Sequence, residues 1–458
     1  MRKPTIGLLP LYAGLYDRNN PQKKFEFTPF INEVADGISK NGVSVLKNPV
    51  CISETDVASA VAAFEMEADA IAVIFMAYHP SMDSAPPLAR TELPLIMLDT
   101  TDIHSFGQDT DPAHIMTCHG IHGVQDLCCV LTRMGKAYGV AAGHFKKSDV
   151  LARTAGFAKA AYMAAAFKNS RVGLIGEPFE QMGDFAMPFD EMERLTGIKT
   201  VKFASINATD IDAERAQNAE LFAIEPDADE GLQHNAAVTD AIIRKWVAEE
   251  RLNAFSFNFL DFNKGTAAIG LPAVPFVTAS KLMSEGIGYA GEGDVLTAAL
   301  TGALLSVYPK SSFCEMFCPD WKGGKIFMSH MGEINVAVAD KLTMVKKNVA
   351  YIPGFDGGVT PGVSAAFKKG EAVLVNLAPS AEGFTLILAP CEMEGSTDAD
   401  LFGDSVRGWL KPLPPLEAFL EQYSMAGGTH HSCLCYGASV EVLSRFGSLG
   451  GWKVVELL

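Results

Sequence analysis

DAIAVIFMAY, residues 69–78, is apolar at every position after Asp69. A strand with one face in water alternates apolar and polar side chains. An unbroken apolar run marks a strand covered on both faces, as in a parallel sheet with helices above and below. LPLIMLDT (93–100) has the same texture, and TIGLLPLY (5–12) reads as a further buried strand. Between them FINEVADGISKNG (30–42) reads as a helix closed by glycine and VSVLKNPV (43–50) as a strand. ETDVASAVAAFEMEA (54–68) reads as a helix with apolar residues recurring at three and four. Such alternation with short links predicts a doubly wound α/β sheet. Its ligand-holding loops would be the strand-end segments YAGLYDRN (12–19) and TTDIHSFGQD (100–109).

Outward from this block, a long helix over 148–168 leads into RVGLIGEP (171–178), and the alternation restarts with TVKFAS (200–205), the helical DAERAQNAELFAI (212–224) and NAFSFNF (253–259). The acidic EPDADEGLQHN (225–235) reads as a solvated loop, and DVLTAALTGALLSVY (294–308) as the helix closing a second α/β region. After residue 310 the segments KIFMSH (325–330), NVAYIPGF (348–355), EAVLVNLAP (371–379) and FTLILAPCEM (384–393) are short, β-rich and separated by Gly and Pro. That pattern predicts a mainly antiparallel sheet or barrel. The expected fold is therefore α/β with two doubly wound parallel-sheet domains, 1–170 and 171–310, followed by a β-rich C-terminal domain, 311–458.

A chain of 458 residues exceeds one ordinary core, and 48% apolar with 20% charged residues is the profile of a folded globular protein. The net charge is −17 and no stretch gathers Lys and Arg, so nucleic acid and anionic membranes are poor partners. The opening MRKPTIGLLPLYAGLYD is interrupted by Pro4 and Pro10 and followed by Asp17 and Arg18, so it reads as a strand rather than a signal peptide. AAYMAAAF (160–167), flanked by Lys159 and Lys168, is far short of the roughly 20 residues a membrane span needs. Nine scattered cysteines fit reduced thiols in the cytoplasm.

GYAGEGD (288–294) admits two readings: a glycine loop that cradles phosphate, or a mount for the carboxylate of Glu292. A dinucleotide fingerprint needs a strand before the glycines, whereas ASKLMSEGIG (279–288) has helical spacing and Glu292 would repel a pyrophosphate. Asp294 suits the N-cap of the helix that follows. Cys314-x3-Cys318 and Cys433-x-Cys435 lack the two-residue gap of a zinc knuckle and lie among apolar residues, so inert buried thiols are the better reading. HHSCLC (430–435) should alternate as a strand, with His431, Cys433 and Cys435 facing one way and His430 and Ser432 the other. Only one of the two histidines then reaches a given metal. Glutamates and histidines beside Gly or Ser in SFCEMFC, SHMGE and GGTHH form a mixed oxygen/nitrogen set suited to Mn²⁺, Co²⁺ or Mg²⁺.

Together, GYAGEGD with its TAAL helix, SFCE (312–315), SHMGE (329–333) and AGGTHH (426–431) resemble the L-arabinose isomerase family, with L-fucose isomerases as more distant relatives. The motifs stand in the family's order at nearly its spacing. HGVQDLCCVLTRMGKAYGVAAGH (122–144) and RVGLIGEPFEQMGDFAM (171–187) extend the similarity to most of the chain. The resemblance implies two α/β domains and one β domain, a single divalent metal, usually Mn²⁺, and interconversion of an aldose and a ketose. It implies Glu292, Glu315, His330 and His431 as metal ligands, with Glu292 and Glu315 as the acid–base pair. It also implies Tyr16, His122 and His430 as substrate contacts. In the family the histidine matching His122 reaches a neighbouring subunit's site within a trimer-based assembly, commonly a hexamer.

The departures fall mainly on substrate contacts. The interval from Glu292 to His330 is shorter than in the family, and MFCPDWKGG (316–324) replaces an aromatic-rich stretch. LYAGLYDRN (11–19) stands where arabinose isomerases carry Gln-His-Leu-Tyr-Gly, with only Tyr16 corresponding, and no longer tail follows WKVVELL (452–458). Isomerase chemistry on a pentose, hexose or deoxysugar is the expectation, with the individual sugar left open. A sugar-binding regulatory module and a metal-dependent hydrolase are the alternatives.

Overall fold

A computed structural model describes residues 2–264, 269–348, 358–397 and 400–458. The chain forms two compact units, residues 1–165 and 166–458.

In the first unit, β1 (Thr5–Leu11), β2 (Ser44–Lys47), β3 (Ala70–Phe75), β4 (Leu95–Asp99) and β5 (Tyr138–Ala142) form a parallel sheet in the order β2-β1-β3-β4-β5. One face carries Leu9, Leu11, Ile71, Val73, Phe75, Leu95 and Met97 against helices 54–65 and 120–133, through Val57, Val61, Phe64, Val124, Leu127 and Leu131. The alternate residues Leu8, Ala72, Ile74, Ile96 and Leu98 are equally buried, so the sheet is covered on both sides. That double burial is why these strands read as continuous apolar runs. The helix after β2 starts at Ser53, whose hydroxyl accepts from the Asp56 amide and satisfies an orphan donor of its first turn.

The second unit opens with the end of the helix Val150–Lys168 and a second parallel sheet. It comprises β6 (Arg171–Ile175), β7 (Lys199–Lys202), β9 (Ala254–Phe257) and β10 (Gly288–Gly291), ordered β10-β9-β6-β7. The short β8 (Ala223–Ile224) leaves this sheet to pair in parallel with the next one. Two expectations change here. Residues 230–235 are not loop but the first turns of a helix, Glu230–Glu249, capped by Asp229, which accepts from the Leu232 amide at 2.9 Å. GYAG is itself a strand, preceded by the helix Phe276–Ser284. Two glycines hid its β character, because all four residues are buried and none alternates in polarity.

The remaining strands are β11 (Ser311–Asp320), β12 (Lys325–Ser329), β13 (Ala339–Asn348), β14 (Val359–Phe367), β15 (Gly370–Ser380), β16 (Gly383–Glu394), β17 (Val406–Pro412), β18 (His431–Tyr436) and β19 (Lys453–Glu456). Antiparallel pairings run β16-β15-β18-β11-β12-β17, and β17 pairs again with β16, closing six strands into a ring. Closure removes the unpaired edges these strands would otherwise expose. The pairings of β8 with β13, β14 with β17 and β16 with β19 are parallel, so the sheet is mixed but mainly antiparallel. Met328, Leu374, Ile387, Leu410 and Leu434 build its core with Phe419 and Tyr423 of the helix Leu416–Met425.

NVAYIPGF beyond Asn348 lies outside the described residues. All nine cysteines are free; Cys314, Cys433 and Cys435 are buried, but Cys318 is exposed because its half of β11 runs out past a bulge. No described helix is long and apolar enough to cross a membrane.

Candidate metal centre

Glu292 sits at the end of β10, on a turn that both strand and helix require. Glu292 (φ 63°) and Gly293 (φ 84°) are consecutive left-handed residues that swing the chain from β10 into the helix Val295–Leu305. The left-handed region costs a non-glycine residue about 1–2 kcal/mol, strain that characteristically gathers at functional sites. Gly293 is needed as such: a β-carbon there would lie 2.5 Å from Pro178 Cα. The Glu292 carbonyl is tied down by the Phe179 amide at 3.0 Å. Asp294 then caps the helix, accepting from the Thr297 amide at 2.9 Å.

Glu315 and the histidines are brought together by β register. On β11, Glu315 stands opposite His431 of β18 on one side and opposite Ser329 of β12 on the other. His330 is the next residue after Ser329. Cross-strand neighbours lie about 4.5–5.5 Å apart at their β-carbons, so the pairing itself converges Glu315 and His431, while His330 can turn toward them because β12 ends at Ser329 and strand alternation no longer applies. The edge of the Phe313 ring wedges the two imidazoles, with centroids 4.8 Å from His330 and 5.0 Å from His431. Phe185 stacks flat on His431 at 4.9 Å. A β-carbon on residue 291 would come within 2.7 Å of His330 Cε1, so Gly291 makes room for that ring.

One ligand-type atom from each of Glu292, Glu315, His330 and His431 lies within 4.8 Å of all the others. His330 Nε2 and His431 Nε2 approach Glu315 Oε1 at 3.1 and 3.0 Å, and His431 Nε2 is 3.7 Å from Glu292 Oε2. These approaches lack hydrogen-bond alignment: Glu292 Oε2, Glu315 Oε1, His330 Nε2 and His431 Nε2 are all buried with no hydrogen-bond partner. Buried polar atoms without partners are rare and costly. Four of them aimed at one point, two carboxylate oxygens and two imidazole nitrogens, are the donor set a divalent cation of Mn²⁺ type accepts.

The opposite edge of each imidazole is anchored. His330 Nδ1 donates to Glu333 Oε1 at 2.6 Å, and His431 Nδ1 donates to Asp294 Oδ2 at 2.9 Å. Glu333 in turn accepts from Tyr289 Oη at 2.6 Å and from the Gly332 amide at 2.7 Å. Carboxylates at Nδ1 leave the Nε2 lone pair free for a cation and raise its basicity. The titration behaviour follows the same contacts. Burial disfavours imidazolium at His431, but Asp294 and Glu315 outweigh it and push its pKa up to about 9. For His330, Glu333 and Glu315 likewise overcome burial and push the pKa well up. Burial opposes ionisation of Glu315, yet His330 and His431 hold its carboxyl below the usual range.

His430 immediately precedes β18 rather than alternating along it, so both histidines of the pair face Glu292. His430 Nε2 lies 3.6 Å from Glu292 Oε2, and its ring is 4.2 Å from that of His431. The strict alternation expected for HHSCLC therefore begins only at His431. Tyr16 and His122 belong to the first unit. There Tyr16 Oη meets His119 Nε2 at 3.2 Å and the His119 and His122 rings are 5.8 Å apart. Sequence reading saw Asp294 only as a helix cap and Glu333 only as one acid of SHMGE. It gave no role to Asp184, Phe185 or His119. Glu333, three residues past His330 in a turn, was within reach of local reasoning. Asp184 was not, being 246 residues from the histidine it contacts.

Known proteins place the same segments in one family. The L-arabinose isomerase central-domain model matches residues 195–308 and the C-terminal-domain model residues 310–453, between them more than half of the chain. An L-arabinose isomerase of Nocardioides sp. is 25% identical over 355 residues, 73% of this chain and 69% of that protein. One from Geobacillus thermodenitrificans is 25% identical over 398 residues, 81% and 77% of the two chains. One from Bacteroides thetaiotaomicron is 24% identical over 463 residues, 93% and 88%.

Proposed function

The chain belongs to the L-arabinose isomerase family, and from that premise we propose that it is a metal-dependent aldose–ketose isomerase working on a pentose, hexose or deoxysugar through an enediolate. The observation that carries this is the convergence of four buried, unpartnered ligand atoms from Glu292, Glu315, His330 and His431. A divalent ion held by them, Mn²⁺ or else Co²⁺ or Mg²⁺, supplies Lewis-acid stabilisation of charge developing on the sugar's O1 and O2.

The protein's own groups do the rest. Glu292 comes from the α/β part of the second unit and Glu315 from its β ring, so the two carboxylates reach the same space from separate elements. In the aldose-to-ketose direction one takes the C2 proton and returns it to C1, while the other passes the O2 proton to O1. Positioned proton transfer of this kind contributes about 10²–10⁴-fold. Glu333 and Asp294 keep the two imidazoles in the Nδ1–H form, and Phe185 and Phe313 fix the ring planes and exclude water. We further propose that the chain acts as a cytoplasmic homo-oligomer, a trimer or hexamer, in which His122, with Tyr16, serves a neighbouring site. Exposed Ile115, Met116 and Ile121 beside His122 support that reading.

The test is a panel of aldopentoses, aldohexoses and 6-deoxyaldoses assayed for ketose formation with Mn²⁺ and after chelation. Glu292→Gln and Glu315→Gln are expected to fold and to lose about 10²–10⁴ in turnover. Near-wild-type rates in both would sink the assignment. In D₂O, deuterium is expected at C1 of the ketose, whereas complete retention of the original hydrogen means a hydride shift.

A further inference from the structure

The anchoring of His430 differs from that of the two imidazoles in the cluster. Its ring Nδ1 and its backbone amide both donate to one oxygen, Asp184 Oδ2, at 2.6 and 3.0 Å. Asp184 lies in the segment between β6 and β7, so a single carboxylate clips the start of β18 to the α/β part of the same unit. Burial disfavours ionisation of Asp184, and the His430 bonds more than offset it, holding the carboxyl below its usual value. The side chains of both residues are 35% exposed, whereas His431 beside them is fully buried. The Asp184–His430 pair thus forms the open rim of a closed cluster. With Nδ1–H committed to Asp184, the free Nε2 edge of His430 faces Glu292 Oε2 at 3.6 Å. Phe185, the next residue, stacks on His431, so one short segment sets the orientation of both histidines.

We propose that Asp184 is a positioning residue for the isomerisation: it holds His430 with Nε2 turned to the open side of Glu292, where that nitrogen bonds a hydroxyl of the sugar entering the cluster. The proposal rests on the isomerase reading for the reaction, but the orientation of His430 stands on the two bonds alone. A free imidazole turns about χ1 and χ2, and misplacing a contact by about 1 Å can cost on the order of 10²-fold in rate. Asp184 acts through His430, to whose ring and amide its Oδ2 is committed.

The experiment is a double-mutant cycle on the full chain loaded with Mn²⁺, using Asp184→Ala, His430→Ala and the double variant, with Asp184→Asn as the conservative partner. Asp184→Ala is expected to lose about 100-fold in kcat/KM, with the Kd for Mn²⁺ unchanged. The double variant is expected to be no worse than His430→Ala alone. Asp184→Asn keeps an oxygen in the same place and is expected to recover most of the loss. Additive losses in the cycle, an unaltered kcat/KM in Asp184→Ala, or a loss of Mn²⁺ affinity that accounts for the whole effect would each overturn the proposal. ¹⁵N shifts of the histidine rings, assigned with His430→Ala, supply a readout free of activity. The Nδ1–H tautomer of His430 is expected in the wild type and its loss in Asp184→Ala. If the wild type isomerises no sugar of the panel, the isomerase reading fails while the ring shifts still decide whether Asp184 orients His430. A His430 ring unaffected by Asp184→Ala overturns the orientation itself.

Discussion

Replacing Glu333 by glutamine tests whether the cluster's hold on a cation depends on hydrogen bonding behind the ligands. Glu333 is 1% exposed, and its two oxygens accept three hydrogen bonds, from His330 Nδ1, Tyr289 Oη and the Gly332 amide. Glutamine has the same shape, but neither orientation of its amide reproduces that set. With the carbonyl oxygen toward His330 and Tyr289, the NH₂ group faces the Gly332 N–H, donor against donor. With the NH₂ toward His330, the imidazole must accept at Nδ1 and carry its proton on Nε2, which removes the ligating lone pair. The first arrangement leaves a buried donor unpaired, at about 1–3 kcal/mol. Partners of ligating histidines are typically worth 10–100-fold in metal affinity. We therefore expect Glu333→Gln to bind Mn²⁺ about 10–100-fold more weakly, and to melt at a lower temperature in chelator. Free Mn²⁺ is counted by its EPR signal during titration of chelator-stripped protein, and the melt confirms that the variant is folded. A folded variant with the wild-type Kd would refute the reasoning, because His330 would then not need Glu333 to ligate.

Gly291→Ala pushes a β-carbon to 2.7 Å from His330 Cε1 and 3.0 Å from Nε2. It should cost about 1–3 kcal/mol of stability and weaken Mn²⁺ binding, and a variant unchanged in both measurements would mean that the ring has slack. Asp400 and Arg407 form a buried ion pair, and the Arg407 bond, with those of Phe402 and Ser396, overcomes burial to hold the Asp400 carboxyl below its ordinary value. A carboxylate depressed in the fold contributes stability that is present above its unfolded pKa and is lost as pH falls through the folded one. Wild type should therefore lose this contribution in acid, below the ordinary carboxylate range. Asp400→Asn should be less stable at neutral pH by about 3–5 kcal/mol, because the buried Arg407 keeps its bonds to Ser364 and Ser405 but loses its counter-charge, and should show a flatter acid limb. An unchanged melt at pH 7 is the contrary result. Co-refolding inactive Glu292→Gln with inactive His122→Ala chains should restore activity if His122 serves a neighbouring subunit; no recovery at any mixing ratio would place its role elsewhere.

The α/β architecture was legible in the sequence because burial on both faces leaves a direct trace. Apart from Asp69, Asp99 and Thr100 at their ends, DAIAVIFMAY and LPLIMLDT have no polar position to signal an exposed side, and both are central strands. Where composition and local structure part company the reading failed. The acidic run at 225–235 is largely solvated as its composition suggests, but it is not all loop: its second half starts a helix because Asp229 caps it. GYAG looked like a loop, yet it is a strand whose glycines let a helix and the His330 ring approach.

The chemical types at the candidate centre are legible without a structure: two glutamates and two histidines, each in a short motif, in an order that resembles one family. Their meeting is not legible that way; the fold decides it through the pairing of β11 with β12 and β18. The register that sets Glu315 against His431 joins segments more than a hundred residues apart, and no local pattern encodes which residue of one strand faces which of another. The same holds for the anchors. Glu333 lies three residues from the His330 it grips, but Asp294 grips His431 across 137 residues, a pairing settled only by packing, where a buried N–H must find an acceptor or its unpaired cost is borne by the fold.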